Sequence, residues 1–381
     1  MAAQRTAGGG PAGLADYARQ SEAPEGYLDF ARYGPPPRAV LAATADALGR
    51  SARADHDTVN DLMRADLRAR ESAARLAGTD AEHTVLLPNA STGLFQAAFG
   101  IPSGTVLVPV ADFPANHYPW RRAAAAGLTV PRWLPGDAHG WITPETVRAA
   151  LTDDVVAVSL SAVDFRTGYR ADLAALREVI GPDRLLVVDA MQAFGVADLP
   201  WQAADVVVTG GQKWLRASWS TGFAALSDRA LERLEPTLTG WTGVDDVALF
   251  DDREHSPAAG AGRLSITNLS PVAAAAFAAA LDLVEKVGVP AIEAQVSGLV
   301  DRLIDAVREH GGEILSATDP GRRAGIVSFR LPEVEAATVA KALHAHGVTP
   351  TVRPDSVRLS PHASTPSAAV DLVRAALASL R

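Results

Sequence analysis

The stretch VVVTGGQKWL, residues 206–215, read together with LLVVDAMQAFG, residues 185–195, decides the fold. Each opens with a run of β-branched and apolar residues, the composition of a strand buried on both faces. Each breaks off into small or polar residues at the strand's end. The earlier run leaves an acid, Asp189, at that edge. The later one leaves an amine, Lys213, just past the glycine pair Gly210–Gly211. Lys213 lies 24 residues after Asp189, about one strand-to-strand crossover.

An acid and a lysine on neighbouring strand ends can hold one small aromatic cofactor between them. Pyridoxal 5'-phosphate needs such a pair, the amine for a Schiff base and the carboxylate for the pyridinium nitrogen. A lysine at a strand end is ordinarily a solvated surface group. Lys213 is instead embedded in GGQKWL with few charges nearby, where desolvation favours the neutral, nucleophilic amine. Asp189 follows four apolar residues, and a buried carboxylate needs a partner.

HTVLLP (83–88), TVLVPV (105–110), LTVPRWLP (128–135), VVAVSLSAV (155–163) and TGFAALS (221–227) read as further strands. Helical patterns such as PETVRAALT (144–152) and ADLAALREVIG (171–181) lie between several of them. The alternation predicts an α/β fold with a largely parallel central sheet. After about residue 270 the chain is nearly all helical, with a break at GVP (288–290). GGEILS, AGIVSFRL and SVRLSPH then predict a second, smaller sheet with covering helices. The expected organisation is a loose tail over 1–26, its GGG a flexible run, a large cofactor-binding domain over 27–260 and a smaller α+β domain over 261–381. STGLFQAAFG (91–100) reads as a helix with Ser91 as its N-cap. Asn89, Ala90, Ser91, Thr92 and Gly93 form the turn before it. Free N–H groups and the dipole at such a turn bind phosphate, although a plain cap fits the same residues.

The formal charge of −9 argues against a nucleic-acid or anionic-membrane partner. No apolar run approaches the ~20 residues of a membrane span, and the first residues lack the apolar core of a signal peptide. A cytoplasmic protein is expected. Cysteine is absent from the sequence, which removes disulfides, thiolate metal sites and any mechanism with a cysteine nucleophile. The histidine spacing shows no metal site, and GGQK lacks the rest of a nucleotide-binding phosphate loop.

Asp189-x-x-Gln192 followed by Gln212-Lys213-Trp214 resembles the fold-type I pyridoxal-phosphate enzymes of the class V aminotransferase group, which includes kynureninase, isopenicillin N epimerase and the cysteine desulfurases. The resemblance runs from about Tyr27 to Arg358. It implies a homodimer with sites at the subunit interface, a small-molecule amino-acid substrate, and Lys213 as the Schiff-base lysine. It also implies a phosphate site at Ser91 and Thr92 with Gln212 as a further contact, and Gln192 at the cofactor's phenolate oxygen. The segment from Asp112 to Trp120, DFPANHYPW, is similar to a family segment whose Phe stacks on the pyridine ring, which makes Phe113 the candidate. Ser161–Tyr169 resembles a kynureninase segment with Asn at the phenolate. This chain has Asp164 there, and an acid would repel a phenolate unless protonated or turned away. Arg358 in VRLSPH matches the arginine that holds the substrate α-carboxylate. Trp241, and Ser265 and Thr267 in GRLSITN, stand where relatives reach toward the phosphate, partly across the dimer.

The resemblance leaves the reaction open. A C–S β-lyase of specialised metabolism is the favoured expectation, because desulfurases carry sulfur on a cysteine that this chain lacks. The alternatives are an epimerase-like racemase, a kynureninase-like hydrolase, and a decarboxylating or aminotransferase variant. In all but the decarboxylating variant the Cα proton is removed, with Lys213 as the expected base.

Overall fold

A computed structural model describes residues 11–380. Seven strands form the larger sheet: β1 (Thr84–Leu86), β2 (Thr105–Pro109), β3 (Val130–Leu134), β4 (Val155–Ser161), β5 (Leu185–Asp189), β6 (Val206–Gly210) and β7 (Gly222–Leu226). Their order is β1-β7-β6-β5-β4-β2-β3. Pairings from β3 through β6 are parallel, while β7 runs antiparallel to both β6 and β1. All strands but β7 therefore point the same way, and their carboxyl ends share one edge.

Period-two alternation explains the layers. Val187, Val206 and Val208 pack with Leu94, Ala97 and Trp120 on one face. Leu186, Val188 and Val207 pack with Phe277, Leu281 and Ala73 on the other. The first face is covered by the helix Ala90–Gly100, which lies close enough to β6 that a Cβ on Gly93 would sit 2.6 Å from Val208 Cγ1. The second is covered by the helices Arg38–Ser51, His56–Ala77 and Pro271–Val287. Gly288, at φ 87°, makes the expected break before the helix Val289–Glu309.

The smaller sheet contains β8 (Glu313–Ile314), β9 (Val327–Arg330), β10 (Thr351–Val352) and β11 (Val357–Leu359) in the antiparallel order β10-β11-β9-β8. The two-residue β10 carries too little pattern to stand out in the sequence. Tyr27 and Asp29 bridge in parallel to Thr349 and Ser360, so the segment leading to the large sheet is pinned to the small one.

Two expectations are corrected. Residues 11–19 form a helix whose Tyr17 is buried, its hydroxyl 3.4 Å from His362 Nε2, so this part of the expected tail is packed. The GGG run at 8–10 lies outside the described residues. The N-cap of the helix Ala90–Gly100 is Asn89, not Ser91: the Asn89 amide oxygen accepts from Thr92 N (3.0 Å) in extended backbone, and asparagine caps as well as serine does.

Gly93→Ala should cost about 1–3 kcal/mol through overpacking. Denaturant unfolding of Gly93→Ala and of the Gly93→Ala/Val208→Ala pair checks this, with the second change expected to recover part of the loss.

Candidate active site

The shared carboxyl edge collects the predicted residues. Asp189 ends β5, Gly210 ends β6 and leads into Lys213, and Asp112 and Phe113 follow β2. Asp164 follows β4, and the helix turn at Asn89–Thr92 follows β1. Crevices at this edge of an open parallel sheet are where such folds bind ligands.

Asp189 is 4% exposed, and Met191 N donates to its carboxylate at 2.9 Å. Among the described residues no cation lies within ion-pair distance of it. Burial pushes its pKa up to about 6, with Asp112 adding to the rise and Lys213 opposing it. The Lys213 amine stands 5.5 Å from the centre of the Phe113 ring. Desolvation lowers its pKa to about 8, against the pull of Asp189 and with the repulsion of Arg358. The chain has three lysines, and Lys286 and Lys341 are exposed on helices.

The turn carrying Lys213 is fixed from several sides. Gln192 is buried, its amide donating to Ala31 O (2.9 Å) and accepting from Trp214 Nε1 (2.8 Å). Both ends of the amide thus brace the lysine turn. Gly34 N donates to Gln212 O (2.8 Å), and a Cβ on Gly34 would fall 1.9 Å from Lys213 O. Only glycine permits that approach. The Gln212 side chain lies over the end of β6, its Oε1 2.6 Å from where a Gly210 Cβ would be. Beyond Lys213 the chain passes through left-handed Arg216, Ser218 and Ser220. The buried Arg216 guanidinium ties this loop to Pro35 O, Ser364 Oγ and Ser21 Oγ.

Asp112 positions Phe113. Its carboxylate accepts from Phe113 N, Asn116 Nδ2, Ser161 N and Ser161 Oγ at 2.6–2.9 Å. Phe113 meets Phe165 edge to face at 5.2 Å. Asp164 is neutralised, taking the Nε and Nη2 of Arg166 and the Thr167 N–H, so it presents no bare charge. Arg358, 3% exposed, donates to Phe165 O (2.7 Å) and Thr351 Oγ1 (2.9 Å), with Asp29 at 3.6 Å. Its Nε is buried without a partner. Burial and the neighbouring Arg353 charge lower its pKa to about 10, so it is cationic at neutral pH.

Two predicted residues stand apart. Thr267 lines a separate cavity with Met63, Asp66, Arg70 and Thr242, and Trp241 is exposed. Thr242 and Ser265 share a hydroxyl hydrogen bond of 2.7 Å there. Sequence reasoning missed the Asp112–Asn116–Ser161 network and Arg353. Their signals were faint: an acid just before Phe113, and an arginine five residues before Arg358.

A family model described as aminotransferase class-V matches residues 27–360. The chain belongs to this family. It is 28% identical over 331 residues to a kynureninase of Deinococcus radiodurans, covering 81% of this chain and 78% of that one. It is 29% identical over 283 residues to an isopenicillin N epimerase of Streptomyces clavuligerus, covering 70% of each. Among solved structures, the complex of the cystine C–S lyase C-DES with its product cysteine persulfide superposes with a TM-score of 0.84 at 19% identity, over 93% of this chain and 98% of that one. That likeness establishes the fold-type I architecture. The family's cofactor is pyridoxal 5'-phosphate, and the donor set fits it: a buried acid without a cation for the ring nitrogen, a desolvated amine, an aromatic ring beside that amine, and a capped helix N-terminus on the same edge.

Desolvating Asp189 and Lys213 destabilises the cofactor-free chain at neutral pH. Asp189 holds its proton longer folded than unfolded, so its cost grows as pH rises from about 4 to 6 and is full above that. Lys213 holds its proton less well folded, so its cost is full below about pH 8 and fades as pH rises above it. Each amounts to roughly 3 kcal/mol. Asp189→Asn and Lys213→Met should therefore raise the melting temperature of the apoprotein at pH 7, which calorimetry measures.

Proposed function

We propose that the chain is a pyridoxal-phosphate-dependent C–S β-lyase acting on a cysteine conjugate. The observation that carries the cofactor assignment is the pair of desolvated groups on adjacent strand ends, Asp189 raised to about 6 and Lys213 lowered to about 8, beside the Phe113 ring. The absence of cysteine supports elimination over desulfuration, since sulfur cannot be parked on the protein as a persulfide.

In this reading Asp189 would hold the ring nitrogen, Phe113 the ring, and Asn89, Ser91 and Thr92 the phosphate, while Arg358 would hold the substrate α-carboxylate. The bound cofactor supplies a sink for the electron pair left at Cα. Lys213 Nζ, its pKa lowered to about 8 by desolvation, takes the Cα proton. The Cβ–S bond breaks with its electrons on sulfur, and the thiolate is protonated from the Lys213 ammonium. The released 2-aminoacrylate consumes one water to give pyruvate and ammonia.

The reading includes a homodimer. Trp241, Val247, Leu249, Phe250 and Ile266 are large apolar residues exposed within one stretch, with Phe250 85% exposed. Apolar exposure on that scale suits an interface. We place Trp241, Ser265 and Thr267 at that interface, serving the partner's site, and keep the division near residue 260 as part of the proposal.

A panel of S-substituted cysteines tests the reaction. Free thiol and pyruvate should appear in equal amounts, and Lys213→Ala should abolish both. Arg358→Leu should weaken substrate binding by roughly 2–5 kcal/mol. Cα inversion alone, or alanine with an aromatic acid from kynurenine, contradicts the lyase reading and favours a racemase or hydrolase.

A further inference from the structure

Next to Arg358 stands a second arginine, Arg353, whose side chain has no hydrogen-bond or ion-pair partner among the described residues. Arg353 follows β10 in the hairpin that leads to β11, and its backbone N–H closes the turn on Ser356 O at 2.9 Å. Its guanidinium carbon lies 4.9 Å above the Phe165 ring. Its Nε is sealed from solvent without a hydrogen-bond partner, and among the described residues no carboxylate lies within ion-pair distance. Water therefore cannot satisfy that N–H, and leaving it unmade carries a real cost.

The acids around Arg353 are already engaged or face outward. Asp164 is taken by Arg166 through Nε and Nη2. Asp29 accepts from the Thr351 hydroxyl and lies 3.6 Å from Arg358. Asp355 is exposed and accepts from Ser356 Oγ at 3.3 Å. Arg353 and Arg358 thus sit as like charges close enough that Arg353 lowers the pKa of Arg358. A buried or half-buried charge without a partner is costly to keep, and an incoming anion would offset that cost.

Phe165 ties this group to the reacting end of the site. Its ring meets Phe113 at 5.2 Å, its carbonyl accepts from Arg358 Nη1, and its face lies under Arg353. Phe113 in turn is the ring beside Lys213 Nζ. The chain of contacts from Lys213 to Arg353 passes through two aromatic rings, with Arg358 along the way.

We propose that Arg353 is a second anion-binding residue of the substrate pocket, and that the substrate is an amino acid whose side chain or conjugate ends in an acidic group such as a carboxylate. The inference rests on the reading of Lys213 and Arg358 given above. Arg353 offers its planar fork to the distal acid, with the Phe165 face fixing the plane of the guanidinium. Arg358 takes the α-carboxylate. Together they select substrates with two acidic ends.

Isothermal titration of the cofactor-loaded protein compares glutarate and adipate with pentanoate and hexanoate, monocarboxylates of the same lengths. The dicarboxylates should bind at least about tenfold tighter, the factor that 1.4 kcal/mol gives. Arg353→Gln should bring them down to the level of the monocarboxylates, and Arg353→Lys should keep part of the difference. Equal affinities in the parent protein, or a preference that survives in Arg353→Gln, overturns the proposal. Cofactor attachment is read separately, by absorbance and its loss in Lys213→Ala. Attachment at Lys213 with no dicarboxylate preference sinks this inference alone. A preference that depends on Arg353, with no cofactor on Lys213, upholds the anion site and sinks the proposed function.

Discussion

The structure is organised around a buried acid and a half-buried, desolvated amine on adjacent strand ends, neither with an ion-pair partner among the described residues. Asp189 and Lys213 feel each other, yet desolvation dominates both, raising the acid to about 6 and lowering the amine to about 8. A protein selected only for stability would pair them or replace them by apolar residues. A flat, charged group that complements both would offset their desolvation. The surrounding hydrogen bonds fix the backbone that carries these groups. Gln192 braces the Lys213 turn, Gly34 admits its carbonyl, and Asp112 fixes the loop that carries Phe113.

Sheet direction makes the convergence possible. Because β1, β2, β4, β5 and β6 run the same way, their carboxyl ends deliver Asn89, Asp112, Asp164, Asp189 and Lys213 to one edge. The antiparallel β7 returns the chain so that β1 joins the sheet in the same sense as β6. The small sheet then brings Arg358 over this edge. The bridges from Tyr27 and Asp29 to Thr349 and Ser360 anchor the two sheets to each other, and Asp29 also stands beside Arg358. In the proposed reading, substrate recognition is built from the far end of the sequence onto a site made near its middle.

The fold was legible because the buried strands read as β-branched runs that end in polar residues. All seven strands of the large sheet stand where the sequence placed them. Lys213 and Asp189 were legible for the same reason, each ending such a run. What the sequence hid depends on side chains meeting across long separations. Gln192 sits three residues after Asp189, yet its amide is engaged by Ala31 and Trp214, which no local pattern announces. Asp164 looked like a bare acid, and only the fold of its own turn shows Arg166 covering it. Asn89 outcompeted Ser91 as the cap because the helix starts two residues earlier than the polar pattern suggested. The helix at Pro11–Arg19 is held by a buried Tyr17–His362 contact between residues 345 positions apart, beyond any window of periodicity.

The central claim is that Lys213 is the desolvated amine that receives the cofactor. With only Lys213, Lys286 and Lys341 in the chain, one measurement addresses it directly. The apoprotein is mixed with pyridoxal 5'-phosphate across a range of pH, reduced with borohydride, and mapped by peptide mass spectrometry. The pyridoxyl group should appear on Lys213 alone, with a condensation rate that climbs with pH and levels off near 8. A group on Lys286 or Lys341, or a rate that keeps climbing to the ordinary lysine value of about 10.4, would contradict it.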